Sequence, residues 1–341
     1  MRKIIFIRIL NFWAVLLCLL VSFVNQSNGE EIMFSSKKAE KELLKAVKDA
    51  GHRLEWRTLA GGIIMNFPEG KVIREIKSEW GIASSLSPDA TQIAFFQPRS
   101  SSAIEAIVES RDLMLEDIND GTQQSLGLIA RRGGFLAWSP DGKKLAFFAE
   151  EATTDPQVKW PERPFLFGEP GPPTKLFIFS IADKTLETFD LPGSGGPIAN
   201  DQIWSPAGDE ILYTVLHSRK PPLDVEIRIL SLVTKATRSL ARGENPAWSL
   251  IHNKIIFRSE DKNYYMINPD GSEKTLLLKP NPKELYDLNS SILWSPDGRW
   301  LLVPRGSYWD TTDIFIMDVE TKIMVKIESQ TQPRSSWKGK K

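Results

Sequence analysis

Cysteine is almost missing from this chain: Cys18 is the single one in 341 residues. No internal disulfide can form, and no cysteine-based metal site can be built. The flanking LLCLL lacks the small residues expected before a lipidated cysteine. Histidine is nearly as scarce, with only His52, His217 and His252, and H-E-x-x-H does not occur. That excludes the helical zinc-protease motif. There is no G-x-S-x-G elbow; the nearest stretch, PGSGGP at Pro192–Pro197, fails the spacing and reads as a flexible connection. Neither a Walker A loop nor a dinucleotide fingerprint is present, so no phosphate-bearing cofactor is expected. Asp117-Ile118-Asn119-Asp120-Gly121 starts like a calcium loop, but its twelfth position is Leu128 instead of Glu. No catalytic residue, cofactor or metal ligand is assigned from the sequence.

Charge of one sign is also missing. Lys and Arg number 43, and Asp and Glu number 43. Such balance leaves no electrostatic footprint for nucleic acid. Long apolar runs stop after Val24. Before that, Arg2, Lys3 and Arg8 precede the apolar run Ile9–Val24, and Ser27 and Gly29 supply the small residues of a cleavage site. Residues 1–29 therefore read as a secretory signal, placing the protein in the periplasm or outside the cell. The alternative is an uncut membrane anchor, because the run approaches the roughly 20 residues of a spanning helix. Removing 1–29 deletes three basic residues and no acid, leaving 40 against 43.

What the chain does have is repetition. AWSPDGKKLAFF (Ala137–Phe148) recurs as SSLSPDATQIAFF, IWSPAGDEILYT, AWSLIHNKIIFR and LWSPDGRWLLVP. The turn serines are Ser87, Ser139, Ser205, Ser249 and Ser295, spaced by 52, 66, 44 and 46 residues. Ser-Pro-Asp-Gly is a hairpin turn: Ser accepts a backbone hydrogen bond, Pro presets φ, Asp suits the third place, and Gly tolerates positive φ. A second hairpin follows each, as at Asn119-Asp120-Gly121 and Pro269-Asp270-Gly271. Gly133–Phe189 thus reads as a four-stranded meander. One meander cannot bury both of its faces, but stacking copies round an axis can. Trp138, Trp204, Trp248 and Trp294, with Leu86 in their place in the first unit, are predicted as wedges between neighbouring sheets.

The fold class is therefore all-β, a β-propeller of six blades, with five as the alternative, preceded by a short helix over Ser35–Ala50. The sixth blade needs an extra hairpin, Gly61–Ile76, whose remaining partner comes from Leu54–Leu59 or from the C-terminus. The expected organisation is signal 1–29, helix and connection 30–60, propeller 61–329 and a disordered basic tail 330–341.

These W-S-P-D-G repeats resemble those of the TolB-like propellers over about Gly61–Ile327. The resemblance implies a periplasmic propeller that binds partner proteins of the cell envelope. TolB itself carries a separate N-terminal α/β domain, for which the residues before the first strand are too few. Prolyl-oligopeptidase-like enzymes carry related repeats beside a hydrolase domain, for which the chain has no room.

Long connections are expected on one end of the ring and tight turns on the other. Aromatic and arginine residues on long loops are the composition of recognition surfaces. Trp160 and Arg163 in Glu151–Thr174, His217 and Arg219 in Leu216–Leu223, and Arg305, Tyr308 and Trp309 in Pro304–Thr312 are the candidate binding residues. The expected function is a non-catalytic module binding an envelope protein or peptide. No nucleic acid partner is expected, and a membrane only if the N-terminal segment stays uncut. Two alternatives stand beside it: a carbohydrate-active or other enzyme-like propeller using the channel mouth, and a membrane-tethered structural protein of the envelope.

Overall fold

Ser139 shows how the repeated unit is built. Its Oγ donates to Asp141 Oδ1 at 2.6 Å and accepts from the Lys144 amide at 2.9 Å. The Gly142 amide closes the turn onto Ser139 O at 2.9 Å, with Gly142 at φ 70°. Ser87 with Asp89 and Ser295 with Asp297 repeat the pattern, both at 2.6 Å. The hydroxyl therefore acts in both directions and locks the Asp as well as the backbone.

The computed structural model describes residues 37–58, 61–67, 72–77, 84–99, 110–131, 134–158, 175–191, 195–196, 201–218, 224–280, 291–305, 312–330 and 334–338. The chain divides into two units, Met1–Met33 and Phe34–Lys341, and the first, with the whole of the expected signal, lies outside the described residues. Among the described residues no helix is long and apolar enough to cross a membrane.

The described strands form five antiparallel sheets. The first joins His52–Thr58, Gly61–Phe67 and Val72–Lys77 to Arg334–Lys338. The second contains Ser84–Leu86, Gln92–Pro98, Ser110–Asp117 and Gln123–Arg131, with Glu151–Thr153 added at its edge. The third contains Gly134–Trp138, Lys144–Ala149, Lys175–Ser180 and Leu186–Phe189, the meander expected over Gly133–Phe189. The fourth has seven strands, from Gly195–Gly196 to Thr275–Leu278, and the fifth runs from Leu293–Trp294 to Met324–Gln330.

The seven-stranded sheet is continuous because Thr237–Trp248 pairs first with Asp224–Ser231 and then with Ile255–Ser259. The crossing point is Gly243, at φ 151°, where an added Cβ would run into the Arg258 backbone and come within 2.9 Å of Phe257. Only glycine permits that approach.

Sheets pack face to face through aromatic side chains. Phe147 of the third sheet stacks on Phe177, centroids 5.3 Å apart, and meets Phe96 of the second sheet edge-on at 5.3 Å. Such pairs add about 0.5–1.5 kcal/mol beyond their area. The innermost strands follow one another in order. Gly134–Trp138 lies beside Ser84–Leu86, and Arg334–Lys338 lies beside both Ser84–Leu86 and Leu293–Trp294. The last strand of the chain thus closes the circle. This is a β-propeller.

Three expectations are corrected here. The tail 330–341 is not wholly disordered: Arg334–Lys338 pairs with Arg53–Arg57, Trp337 facing Leu54. Its polar composition hid it, but the edge of His52–Thr58 would otherwise present unpaired N–H and C=O groups. The propeller begins at His52 instead of residue 61, so the N-terminal and C-terminal sources proposed for the extra hairpin both contribute. PGSGGP is not all connection either, since Gly195 and Gly196 pair with Val215 and Thr214.

The helix spans Lys37–Asp49, within the expected range. Leu43 and Val47 are buried against Trp300, Leu302, Ile316 and Val325 of the fifth sheet. Its apolar stripe is therefore part of the core.

Candidate functional site: the cup at the tight-turn end

Four inner strands end in a Trp paired with an aliphatic residue of the next strand: Trp138 with Leu145, Trp204 with Ile211, Trp248 with Ile255, and Trp294 with Leu301. All four indoles are at most 4% exposed. Their Nε1–H groups point along the ring. Trp138 donates to Ser85 O at 2.8 Å, Trp204 to Ala137 O at 3.2 Å and Trp294 to Ala247 O at 3.2 Å. Each acceptor lies two residues before the turn serine of the preceding module. Trp248 departs from the rule and donates to Asn253 Oδ1 within its own turn, at 2.9 Å.

The turns interlock as well. A Cβ on Gly142 would sit 3.8 Å from Pro88, and one on Gly208 would sit 3.7 Å from Pro140. At these two turns the proline of one module covers the glycine of the next. These contacts gather the tight turns into one rim.

Side chains of the fourth module cross to other modules inside that rim. Gly196 pairs with Thr214 and Trp204 with Ile211, so the inner strand carries extra residues between them, an excursion of which Asp201, Gln202 and Ile203 are described, and the Ile203 carbonyl accepts from Leu212 N at 2.8 Å. Asp201, 4% exposed, accepts from Ser85 Oγ at 2.9 Å through Oδ2. Gln202 spans to the fifth sheet, donating to Trp294 O at 2.7 Å and accepting from Trp294 N at 2.8 Å. Its own carbonyl accepts from Trp248 N at 2.8 Å.

Among these residues lies a cup of about 120 Å³. Its lining brings together Asp201 and Gln202, the four indoles that make most of its wall, the turn residues Ser139 and Ser295, and Pro88, Pro140, Pro296 and Leu250. Since the indole N–H groups are all engaged by the protein, the wall offers only π surface and ring edge. Among the described residues of the lining, Asp201 is the one acidic side chain.

One side of the lip is different. Where other turns read Ser-Pro-Asp, this one reads Ser249-Leu250-Ile251, and Leu250 and Ile251 are 43% and 59% exposed. They do not hang loosely. His252 Nε2 is 2.9 Å from Gly298 O, its ring centroid is 5.8 Å from that of Trp294, and its amide donates to Ser249 Oγ at 3.1 Å. His252 is thus a part-buried clamp between two turns.

Of the residues predicted from the sequence, Trp160, Arg163, Arg219, Tyr308 and Trp309 lie outside the described residues. Arg305 closes the strand Trp300–Arg305, its backbone opposite Asp313. His217 is described, on Glu210–Ser218, with Nε2 2.8 Å from Glu226 Oε2. Hydrogen bonds from Ser239 first, and from His217, hold the Glu226 carboxyl below the usual carboxylate range against the raising effect of burial. The long connection expected over Glu151–Thr174 opens with Glu151–Thr153 paired to the second sheet, so its first turn is anchored. Among the described residues no group of three His, Cys, Asp or Glu stands close enough to hold a metal ion.

Solved structures with this architecture include TolB from Acinetobacter baumannii. It is 17% identical, with a TM-score of 0.57 over 84% of this chain and 66% of the other. The fold is that of a TolB-like β-propeller. A TolB from Agrobacterium tumefaciens matches at 13% identity and a TM-score of 0.51, over 85% of this chain and 98% of the other. An acylaminoacyl peptidase bound to Z-Gly-Gly-Phe-chloromethyl ketone matches at 13% identity and 0.52, over 80% of this chain and 43% of the peptidase. The chain spans just under two thirds of the Acinetobacter TolB. No protein-family model matches, and no curated protein matches. At these identities the likeness is one of fold.

The cup was missed by sequence reading. Two signals for it were present: the loss of Pro-Asp at Leu250-Ile251, and the long spacing of 66 residues before Ser205, which accommodates the excursion carrying Asp201.

Proposed function

We propose that this TolB-like propeller is an exported, non-catalytic binding module for a protein or peptide of the cell envelope, and that it has six blades. Counting the seven-stranded sheet as two meanders sharing Thr237–Trp248 supports that number. The N-terminal basic and apolar pattern supports export, and the TolB-like resemblance supports an envelope partner.

The observation that carries the binding reading is the rigid apolar pair Leu250 and Ile251 beside the cup. Exposed aliphatic residues clamped in place and rimming a concavity lose little entropy when covered, which favours a partner surface. The candidates read from the sequence, Trp160, Arg163, His217, Arg219, Arg305, Tyr308 and Trp309, are a second contact region that the same module offers.

Affinity capture from the native envelope tests this. The full chain should retain a partner that the Leu250→Asp/Ile251→Asp variant releases. Release by Trp160→Ala/Trp309→Ala instead would move the site to the long-loop end. Absence of any partner at either end would overturn the reading. Mass spectrometry of the exported protein, with a mature start at residue 30, tests the signal.

A further inference from the structure

We infer that the outer face of the N-terminal helix is a docking surface for an anionic phospholipid bilayer. This goes beyond the protein-binding reading above and shares with it only the premise of export.

The helix Lys37–Asp49 has two faces of opposite character. Leu43 and Val47 are buried against Trp300, Leu302, Ile316 and Val325, with Leu44, Ala46 and Ala50 packed beside them. Lys37, Lys41, Lys45 and Lys48 are all exposed. Their spacing of four, four and three residues sets them in one row on the side turned away from the sheet. Glu42 and Asp49 are exposed as well, but they lie along one border of that row. Lys41 has a lysine four residues before it and another four residues after it, and like charges at that spacing repel. The row therefore works against the helix, which is held by its apolar face.

That apolar face is already spent on the fifth sheet, so the helix cannot roll into the acyl layer as an interfacial amphipathic helix does. What it offers outward is positive charge in a line. Four or more basic side chains on one helix fit the headgroups of anionic lipid, each adding roughly fivefold to the affinity. The sequence also supplies the bilayer. Only residues 25–36, twelve positions, join the apolar run Ile9–Val24 to Lys37. An extended segment of that length spans at most about 40 Å. While the run occupies a membrane, during export or as an anchor, the lysine row stays within reach of the headgroups. Nothing in the chain brings an acidic protein surface to the same place.

The test uses the exported protein as isolated, with vesicles of phosphatidylcholine alone and vesicles that also contain phosphatidylglycerol. Sedimentation should show a preference for the anionic vesicles that fades as salt is raised. Acetylation read by mass spectrometry should slow at Lys41 and Lys45 on those vesicles and stay unchanged at Lys262, an exposed lysine of the fourth sheet. Lys41→Glu/Lys45→Glu should cut the preference by at least about twentyfold, and Lys41→Arg/Lys45→Arg should keep it. Equal binding to the two kinds of vesicle overturns the inference, as does a preference that salt leaves untouched. So does a folded charge-reversed protein with its preference intact. If the charge-reversed protein does not fold, the acetylation pattern of the unaltered protein decides. No partner protein is present, so failure here leaves the partner reading standing, and failure of envelope capture leaves the bilayer contact standing.

Discussion

The indole of Trp204 donates to the carbonyl of Ala137, one module back, at 3.2 Å. A residue that looks like a repeated core side chain is therefore also a hydrogen-bonded link between neighbours. Burial and bond can be separated experimentally. Trp204→Phe keeps most of the apolar wedge and should cost about 1 kcal/mol for the unpaired carbonyl, plus a small packing loss. Trp204→Ala should cost about 3–5 kcal/mol. Urea unfolding of both variants measures the two contributions, and equal losses would mean that the bond, and not the wedge, dominates.

The C-terminal strand closes the ring, so its removal should act far from the cut. Deleting residues 334–341 strips His52–Thr58 of its neighbour. The melting temperature should fall, and the amides of His52–Thr58 should lose their protection from hydrogen exchange. Protection in the third sheet should change much less, because modules contact only their neighbours. Uniform loss of protection, or none, would count against closure by this strand.

The turn aspartates predict a pH dependence. Burial alone would raise the carboxyl of Asp141, but hydrogen bonds from Ser139 Oγ and the Lys143 amide outweigh it and leave it below its ordinary value. Asp89 behaves the same way with Ser87 and Thr91. A carboxyl lowered by folding contributes stability above its unfolded pKa and loses it as pH falls through the folded value. Urea midpoints should therefore drop on acidification below the ordinary carboxylate range. Ser139→Ala should flatten part of that slope, and an unchanged slope would show that the serine does not tune the aspartate.

Gly298 and Gly142 occupy equivalent turns, at φ 73° and 70°. Replacing either by Ala incurs the left-handed backbone cost of roughly 1 kcal/mol. At Gly142 the new Cβ meets only Pro88, at 3.8 Å, whereas at Gly298 it comes within 2.8 Å of His252 Nε2. Gly298→Ala should therefore be the more destabilising, and His252→Ala should rescue part of the excess. The thermal midpoints of the two single variants and the double variant check this, and additivity in the double would show that the clamp is not where the strain arises.

Much of the fold was legible because its signals are local. Ser-Pro-Asp-Gly carries its own turn chemistry, and a Trp one residue before it marks the end of an inner strand. Trp337 escaped notice for the same reason. The register places it opposite Leu54, as Trp138 is opposite Leu145. No turn motif follows it, because the next strand in space, His52–Thr58, lies at the other end of the chain.

The site was much less legible. Aromatic and arginine residues in long connections drew attention to those connections, while the cup is built from the tight turns. Asp201 and Gln202 sit in a plain stretch, NDQIW, with no motif around them. Their meaning comes from Ser85 and Trp294, which are 116 and 92 residues away from them.

By itself the sequence determined the repeating sheet unit, its turns and the wedging indoles, because each depends on residues a few positions apart. Only the tertiary structure decided how the circle is sealed, which strand departs from its sheet to reach other modules, and which side chains join the four indoles around the cup. Those depend on backbone groups brought together from distant modules, and hydrogen bonds between strangers in sequence leave no pattern in the order of residues.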